Sequence, residues 1–220
     1  MQISKTLQVM CNGILVCCAL FSTSLAYRAL KRSDRSAREQ SDSAQRVAGW
    51  ETQFRQAQLA GRDRERAAMV VFSDYECPAC KALNDHIESY RRDRGLETSV
   101  LYRHWALPSH QHAVAAAVSA ECAAEQGKFR DMHNELFRAQ RHLATVDWRE
   151  LASAAGVPDL PRFESCINDA DVTRRVQAAS DSVGALGLRG TPSILLKGGR
   201  VLTGVPARAM LDSLLGAVAN

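Results

Sequence analysis

The 220-residue chain has no glycine-rich phosphate loop, no second Cys-x-x-Cys and no internal repeat. The first absence argues against a doubly wound nucleotide-binding fold. The second argues against a zinc knuckle, because a structural zinc site needs four ligands. The third removes solenoids and propellers. Charge imbalance is also small. The formal net charge is +4, and the excess sits mostly before Val70, in an Arg-rich stretch. That is too little and too local for a nucleic-acid partner, and a solvated basic segment beside a membrane explains it better. Hydrophobic residues make up 46% of the chain, enough for a packed core, which excludes global disorder.

Leu7 to Tyr27 carries no charged side chain, whereas Lys5 precedes it and Arg28, Lys31 and Arg32 follow. Those 21 residues would span roughly 30 Å as a helix, the thickness of a bilayer core. An uncleaved anchor is the preferred reading, because the apolar run exceeds a signal-peptide core. A cleaved signal peptide stays open, since Ser24-Leu25-Ala26 offers small residues for cleavage. Cys11, Cys17 and Cys18 are apolar helix residues on this reading. The flanking charge favours a cytoplasmic C-terminal part. The four remaining cysteines, an even number, favour an oxidising compartment, and the cysteines carry more weight.

Residues 1–32 therefore read as a signal or anchor segment and 33–66 as a linker. Trp50, Phe54 and Ala57 recur at helical spacing within that linker, and Gly61-Arg62-Asp63 breaks the pattern. The main domain is placed at 67–220. Met69 to Phe72 reads as a buried strand, and Cys80 to Arg92 as a helix with Leu83, Ile87 and Tyr90 on one face, ended by Gly95. Thr98 to His104 reads as a second strand. An Ala-rich helix follows from Gln111 to Ala124. Phe129, Met132, His133, Leu136 and Phe137 make a second helical stripe. Asp147 and Asp159 stand at N-cap positions. Val172 to Leu186 is a longer helix. Ser193 to Leu196 and Val201 to Thr203 form a hairpin, and a helix closes the chain from Pro206 to Val218. The fold class is α/β, in the order expected of a thioredoxin fold carrying a helical insertion, about 108–186, between its βαβ and ββα halves.

The centre of the chain is Ser73-Asp74-Tyr75-Glu76-Cys77-Pro78-Ala79-Cys80. Strand, Cys-x-x-Cys, helix is the layout of a thioredoxin-like redox centre. Cys77 falls at the start of the helix, where unpaired backbone N–H groups and the helix dipole favour a thiolate. Pro78 has no N–H to leave unpaired there. Cys80, one turn deeper, is placed to resolve a mixed disulfide on Cys77. Zinc is the weaker reading, although His104, His110 and His112 are nearby in sequence. A structural Cys77–Cys80 disulfide would add little, because its loop is short. Asp74 and Glu76 flank the centre as candidates for tuning thiol pKa or moving a proton, with solvated loop carboxylates as the bland alternative. His86 and His133 read as surface or core-edge residues. For Cys122 and Cys166 the residues alone allow either two buried thiols or one bond.

From about Val70 to Val218 the sequence resembles the DsbA-like branch of the thioredoxin superfamily, of the extracytoplasmic bacterial type. The residues that carry the resemblance are Phe72 to Cys80, Tyr102-Arg103-His104, Leu107-Pro108-Ser109-His110, Glu121 to Phe129, Leu186-Gly187 and Gly190-Thr191-Pro192-Ser193. The resemblance implies that Thr191-Pro192 is a cis pair beside the cysteines that positions the substrate chain. It implies a structural Cys122–Cys166 disulfide. It implies thiol–disulfide exchange on secreted or periplasmic proteins, with no metal or organic cofactor. The partners would be protein thiols or disulfides and a redox partner, which could itself be membrane-bound. Residues 7–27 would hold the domain on the periplasmic side of the inner membrane. A dithiol oxidase is the leading expectation. Isomerase or reductase work is the alternative, and a non-catalytic binding protein or metal-handling chaperone is the alternative of another class. Ala106 stands where the family often has Pro. Ala79 stands where the strongest oxidases have His, which leaves the direction of electron flow open.

Overall fold

The computed structural model describes residues 46–216, except 62 and 95–97. The expectations for Leu7 to Tyr27, for Cys11, Cys17 and Cys18, for residues 33–45 and for Gly95 lie outside the described residues. Among the described residues no helix is long and apolar enough to cross a membrane.

The chain runs α1 (Trp50–Gln56), β1 (Gln58–Ala60), β2 (Met69–Ser73), α2 (Pro78–Arg94) and β3 (Val100–His104). Then come α3 (Ala113–Ala124), α4 (Phe129–Arg138), a 3-10 turn at Gln140–His142, α5 (Trp148–Ala154), α6 (Leu160–Ile167) and α7 (Ala170–Gly184). The hairpin β4 (Ser193–Leu196) and β5 (Val201–Thr203) precedes α8 (Arg208–Gly216). The five strands form one sheet in the order β1-β3-β2-β4-β5. β2 and β3 are parallel, joined by α2, and the other pairings are antiparallel. This is a thioredoxin-like α/β fold with helices α3 to α7 inserted between β3 and β4.

Both faces of the sheet are covered, so β2 and β3 are buried at every position rather than alternating between buried and exposed. Met69, Val71, Val100, Tyr102 and Ile194 point to one face, against α2, α8 and the insertion helices. Val70, Phe72, Leu101 and Leu195 point to the other, against Val183 of α7 and the segment around α1. Phe72 is fully buried, and truncating it to Ala would cost about 3–5 kcal/mol. The stripe read from Phe129 to Phe137 is buried throughout. Asp147 and Asp159 cap α5 and α6, accepting bonds from the N–H groups of Arg149 and Arg162, each at 2.9 Å.

The sheet begins upstream of the boundary expected at Ala67. Gln58–Ala60 pairs with Val100–Tyr102 as an edge strand. Its short Gln-Leu-Ala sequence carries no strand pattern. The Arg91 guanidinium holds it instead, donating to the carbonyls of Ala60 and Thr98 from a buried position. Further upstream, Val47 N–H donates to Gly199 O in the β4–β5 turn at 2.9 Å. A side chain at Gly199 would meet Val47 O at 2.9 Å with φ at +86°, so this approach needs glycine. α1 also starts the wall of the second core, with Trp50 and Phe54 in edge contact at 5.3 Å.

Candidate active site

α2 begins at Pro78, the first helical position expected from the placing of Cys77 at the helix start, and so puts Cys77 at its N-cap. The Cys77 carbonyl accepts the first helical bonds, from Cys80 N at 3.1 Å and Lys81 N at 3.2 Å. Its thiol therefore lies over the free N–H end of a helix. Both Cys77 and Cys80 are free thiols in the structure, 7% and 2% exposed respectively.

The two sulfurs are held in opposite states. The Cys80 thiol donates to the Cys77 sulfur and is the largest influence pulling the Cys77 pKa down, to about 5. Partial burial opposes this. The Thr191 hydroxyl and the N–H groups of Cys80 and Ala79 reinforce it. Burial pushes the Cys80 thiol upward, and its bond to Cys77 adds to that shift. At neutral pH the outer sulfur is a thiolate and the inner one a thiol, the division that nucleophile and resolver require.

Thr191-Pro192 lies directly across from this pair, with its peptide bond in the cis form. The Cys77 sulfur stands 3.4 Å from Thr191 O. Thr191 Oγ1 is buried without another protein partner, so thiolate formation supplies the acceptor that its hydroxyl otherwise lacks.

Asp74 is not a solvated loop carboxylate. Its side chain is 0% exposed and accepts three hydrogen bonds. These come from Glu76 N at 2.7 Å, Leu107 N at 2.7 Å and His110 Nδ1 at 2.8 Å. The part of Asp74 that reaches a cysteine is its backbone N–H, 3.5 Å from Cys80 Sγ. Glu76 reaches the same segment further along, where its Oε2 accepts from His112 N at 2.7 Å, at the start of α3. The two carboxylates thus fix the loop that carries Cys77 to the segment between β3 and α3.

One contributor was not visible in the sequence, and two others were visible without their contacts. Gln140 donates to Tyr75 O at 2.6 Å and Cys77 O at 3.0 Å, clamping the loop from the insertion side. No motif marks it. His133 is a core residue rather than a core-edge one, 2% exposed, with Nδ1 2.8 Å from the Tyr75 hydroxyl. Burial holds it neutral, its pKa well below the ordinary histidine value. His110 did carry a signal, as part of the Leu107-Pro108-Ser109-His110 stretch, but not its pairing with Asp74.

Cys122 of α3 and Cys166 of α6 are joined by a disulfide, Cα atoms 5.8 Å apart, within the insertion. It lies in a different part of the fold from the Cys77 centre. Among the described residues, no group of three or more His, Cys, Asp or Glu side chains is arranged to hold a metal ion.

This geometry has parallels in known proteins. The family model described as Thioredoxin matches residues 56–214. BdbD from Bacillus subtilis, in its oxidised form, superposes with a TM-score of 0.62 at 17% identity, over 80% of this chain and 98% of that one. The thiol-disulfide exchange protein alpha-DsbA2 from Wolbachia pipientis gives 0.59 at 20% identity, over 76% of this chain and 90% of that one. Both likenesses show a shared fold. A Na(+)/H(+) antiporter NhaA 1 from Mycolicibacterium gilvum is 32% identical over 145 residues, 64% of this chain. The chain spans less than a quarter of the length of the curated relatives first matched, 23% in that case.

Proposed function

This chain belongs to the thioredoxin family, and we propose that it is a thiol–disulfide oxidoreductase acting on secreted or periplasmic proteins. The observation that carries this reading is the pairing of a Cys77 thiolate at a helix N-terminus with a protonated Cys80 beside it, opposite Thr191-Pro192. A substrate disulfide, or the Cys77–Cys80 disulfide facing a substrate thiolate, exchanges through a mixed disulfide on Cys77 that Cys80 resolves. Thr191-Pro192 supplies the backbone edge against which the substrate chain lies.

Oxidation of substrate dithiols is the favoured direction. A depressed Cys77 pKa stabilises the reduced form, and a couple whose reduced form is stabilised is the more oxidising one. The alternative direction, reduction or isomerisation, follows if Ala79 leaves that stabilisation too weak. The Cys122–Cys166 bond supports placement outside the cytoplasm, where structural disulfides persist. Retention on the periplasmic side by residues 7–27 is part of the same proposal.

The test is oxidation of a reduced dithiol peptide by the disulfide form of the protein, with Cys77→Ser as control. Stoichiometric oxidation that disappears in Cys77→Ser supports the reading. Equal activity with and without Cys77 overturns it. The reduction potential of the Cys77–Cys80 pair sets direction: about −120 mV marks an oxidase and about −270 mV a reductase.

A further inference from the structure

Gln140 has a second use, which rests on the reading above of exchange at Cys77. Its Nε2 carries two hydrogens and both are spent, one on Tyr75 O at 2.6 Å and one on Cys77 O at 3.0 Å. Two carbonyl oxygens fix which way round the amide sits, because a flipped amide would set its own oxygen against both. The amide plane is therefore set, and Oε1 points away from the Cys77 loop. Among the described residues no donor reaches Oε1, and the residue is only half-buried. A fixed acceptor beside the nucleophile is thus open to a ligand.

Cys77 is held at both ends. Its sulfur lies 3.4 Å from Thr191 O, and its carbonyl accepts from Gln140 of the insertion. A substrate chain joined to the Cys77 sulfur and laid along the Thr191 backbone pairs only one of its edges. The N–H groups of an extended chain face its two edges alternately. Those that face away from Thr191 lie on the side of the insertion, where Gln140 Oε1 stands.

The next residue gives that edge a charge. Arg141 is exposed and has no ion pair among the described residues. The carboxylates of the Cys77 loop, and of the helix that leads into this turn, are already committed. Asp74 is buried and accepts from three donors. Glu76 accepts from His112 N, and Glu135 is paired with Arg138. A carboxylate brought by a substrate meets no competitor from these three for the Arg141 guanidinium.

We propose that Gln140 and Arg141 form the second edge of the substrate site. Gln140 Oε1 accepts a backbone N–H of the substrate chain, and Arg141 pairs with an acidic side chain next to that N–H. The preferred substrate is an extended segment with Asp or Glu close to its reactive cysteine. Both residues bind substrate and leave the sulfur chemistry to Cys77 and Cys80.

The test is oxidation of reduced dithiol peptides by the disulfide form of the full chain, read as kcat/KM. One series places Asp or Asn beside the reactive cysteine, and another carries a single N-methyl group at each amide near it. In wild type the Asp peptide is expected to react about fivefold faster than its Asn counterpart, the scale of an exposed ion pair, and added salt should erase the difference. In Arg141→Gln that ratio falls toward one. N-methylation at a position facing the insertion is expected to cost wild type about tenfold, the scale of a hydrogen bond, with no such loss in Gln140→Met. A ratio unmoved in Arg141→Gln overturns the proposal, and so does an N-methyl penalty equal in Gln140→Met and wild type. If Gln140→Met does not fold, the salt dependence and Arg141→Gln decide the matter. Oxidation of all the peptides at one rate overturns the proposal while leaving exchange intact. No Cys77-dependent oxidation of any peptide overturns the exchange reading and the second edge with it.

Discussion

The Cys77 sulfur lies 3.4 Å from the carbonyl oxygen of Thr191, 114 residues along the chain. The same residue presents a buried hydroxyl without another protein partner, and that hydroxyl helps hold the thiolate. In Thr191→Val the shape is kept and the donor is lost. The Cys77 pKa should rise from about 5 toward the ordinary thiol value. The pH midpoint of iodoacetamide alkylation measures this directly. An unmoved midpoint would remove Thr191 from the account of the thiolate.

Thiolate formation also links redox state to pH. The Cys77 pKa in the folded reduced protein, about 5, is below that of a thiol in an unfolded chain, about 8.5. A depressed pKa contributes stability that is complete above the unfolded value and is lost as pH falls through the folded value. The oxidised form has no such group. Urea midpoints of the reduced protein relative to the oxidised protein should therefore improve as pH rises from about 5 to about 8.5. The upward shift of Cys80 acts only above that window. A reduced-minus-oxidised difference independent of pH would contradict the thiolate assignment.

The Cys122–Cys166 bond closes a loop with a sequence separation of 44. Loop-entropy arguments give it about 4 kcal/mol. Cys122→Ala should lower the melting temperature by about 10 °C for a domain of this size while leaving exchange at Cys77 in place. An unchanged melting temperature under oxidising conditions would deny the bond a structural role.

Asp74 satisfies two backbone N–H groups and one imidazole from a fully buried position. In Asp74→Asn the amide nitrogen must face one of those donors. The expected cost is about 3 kcal/mol in urea titration, with weaker exchange because the Cys77 loop is loosened. Wild-type stability in this variant would mean that the loop has an alternative set of partners.

Glu88 of α2 pairs with Arg91 and Arg130. Burial alone would raise its pKa, but the Arg130 hydrogen bond and both guanidinium charges bring it below the ordinary value. Its contribution is complete above the unfolded glutamate pKa and disappears as pH falls through the folded one. Glu88→Gln should cost about 1–2 kcal/mol at neutral pH after solvent screening and flatten the acid limb of the stability profile. A parallel acid limb in the variant would show that other carboxylates govern it.

The residues that could be read from sequence are those whose chemistry is local. Cys77-Pro78-Ala79-Cys80 sits within one strand–helix junction, and Gly190-Thr191-Pro192 announces itself by motif. Helices with long apolar stripes, such as Phe129 to Phe137, were equally plain. Asp74 and His110 were each in view, but their pairing spans 36 residues and depends on how the β3–α3 segment folds back. Gln140 acts by its amide from a 3-10 turn, a residue type and a location that carry no signal. β1 was hidden because three residues of edge strand are set by tertiary partners, Arg91 above all, rather than by pattern.

Residues 46–60 pair with the sheet at both of its edges. Arg46 bridges to Arg200 beyond β5, and Gln58–Ala60 covers β3. Unpaired strand edges are templates for association with other chains. A shortened chain beginning at Ala67 would keep every cysteine of the redox centre and of the insertion. It would also bare the edge of β3 and the apolar floor under α1. Such a fragment should carry active thiols and still be lost to self-association, so its failure would report on solubility rather than on chemistry.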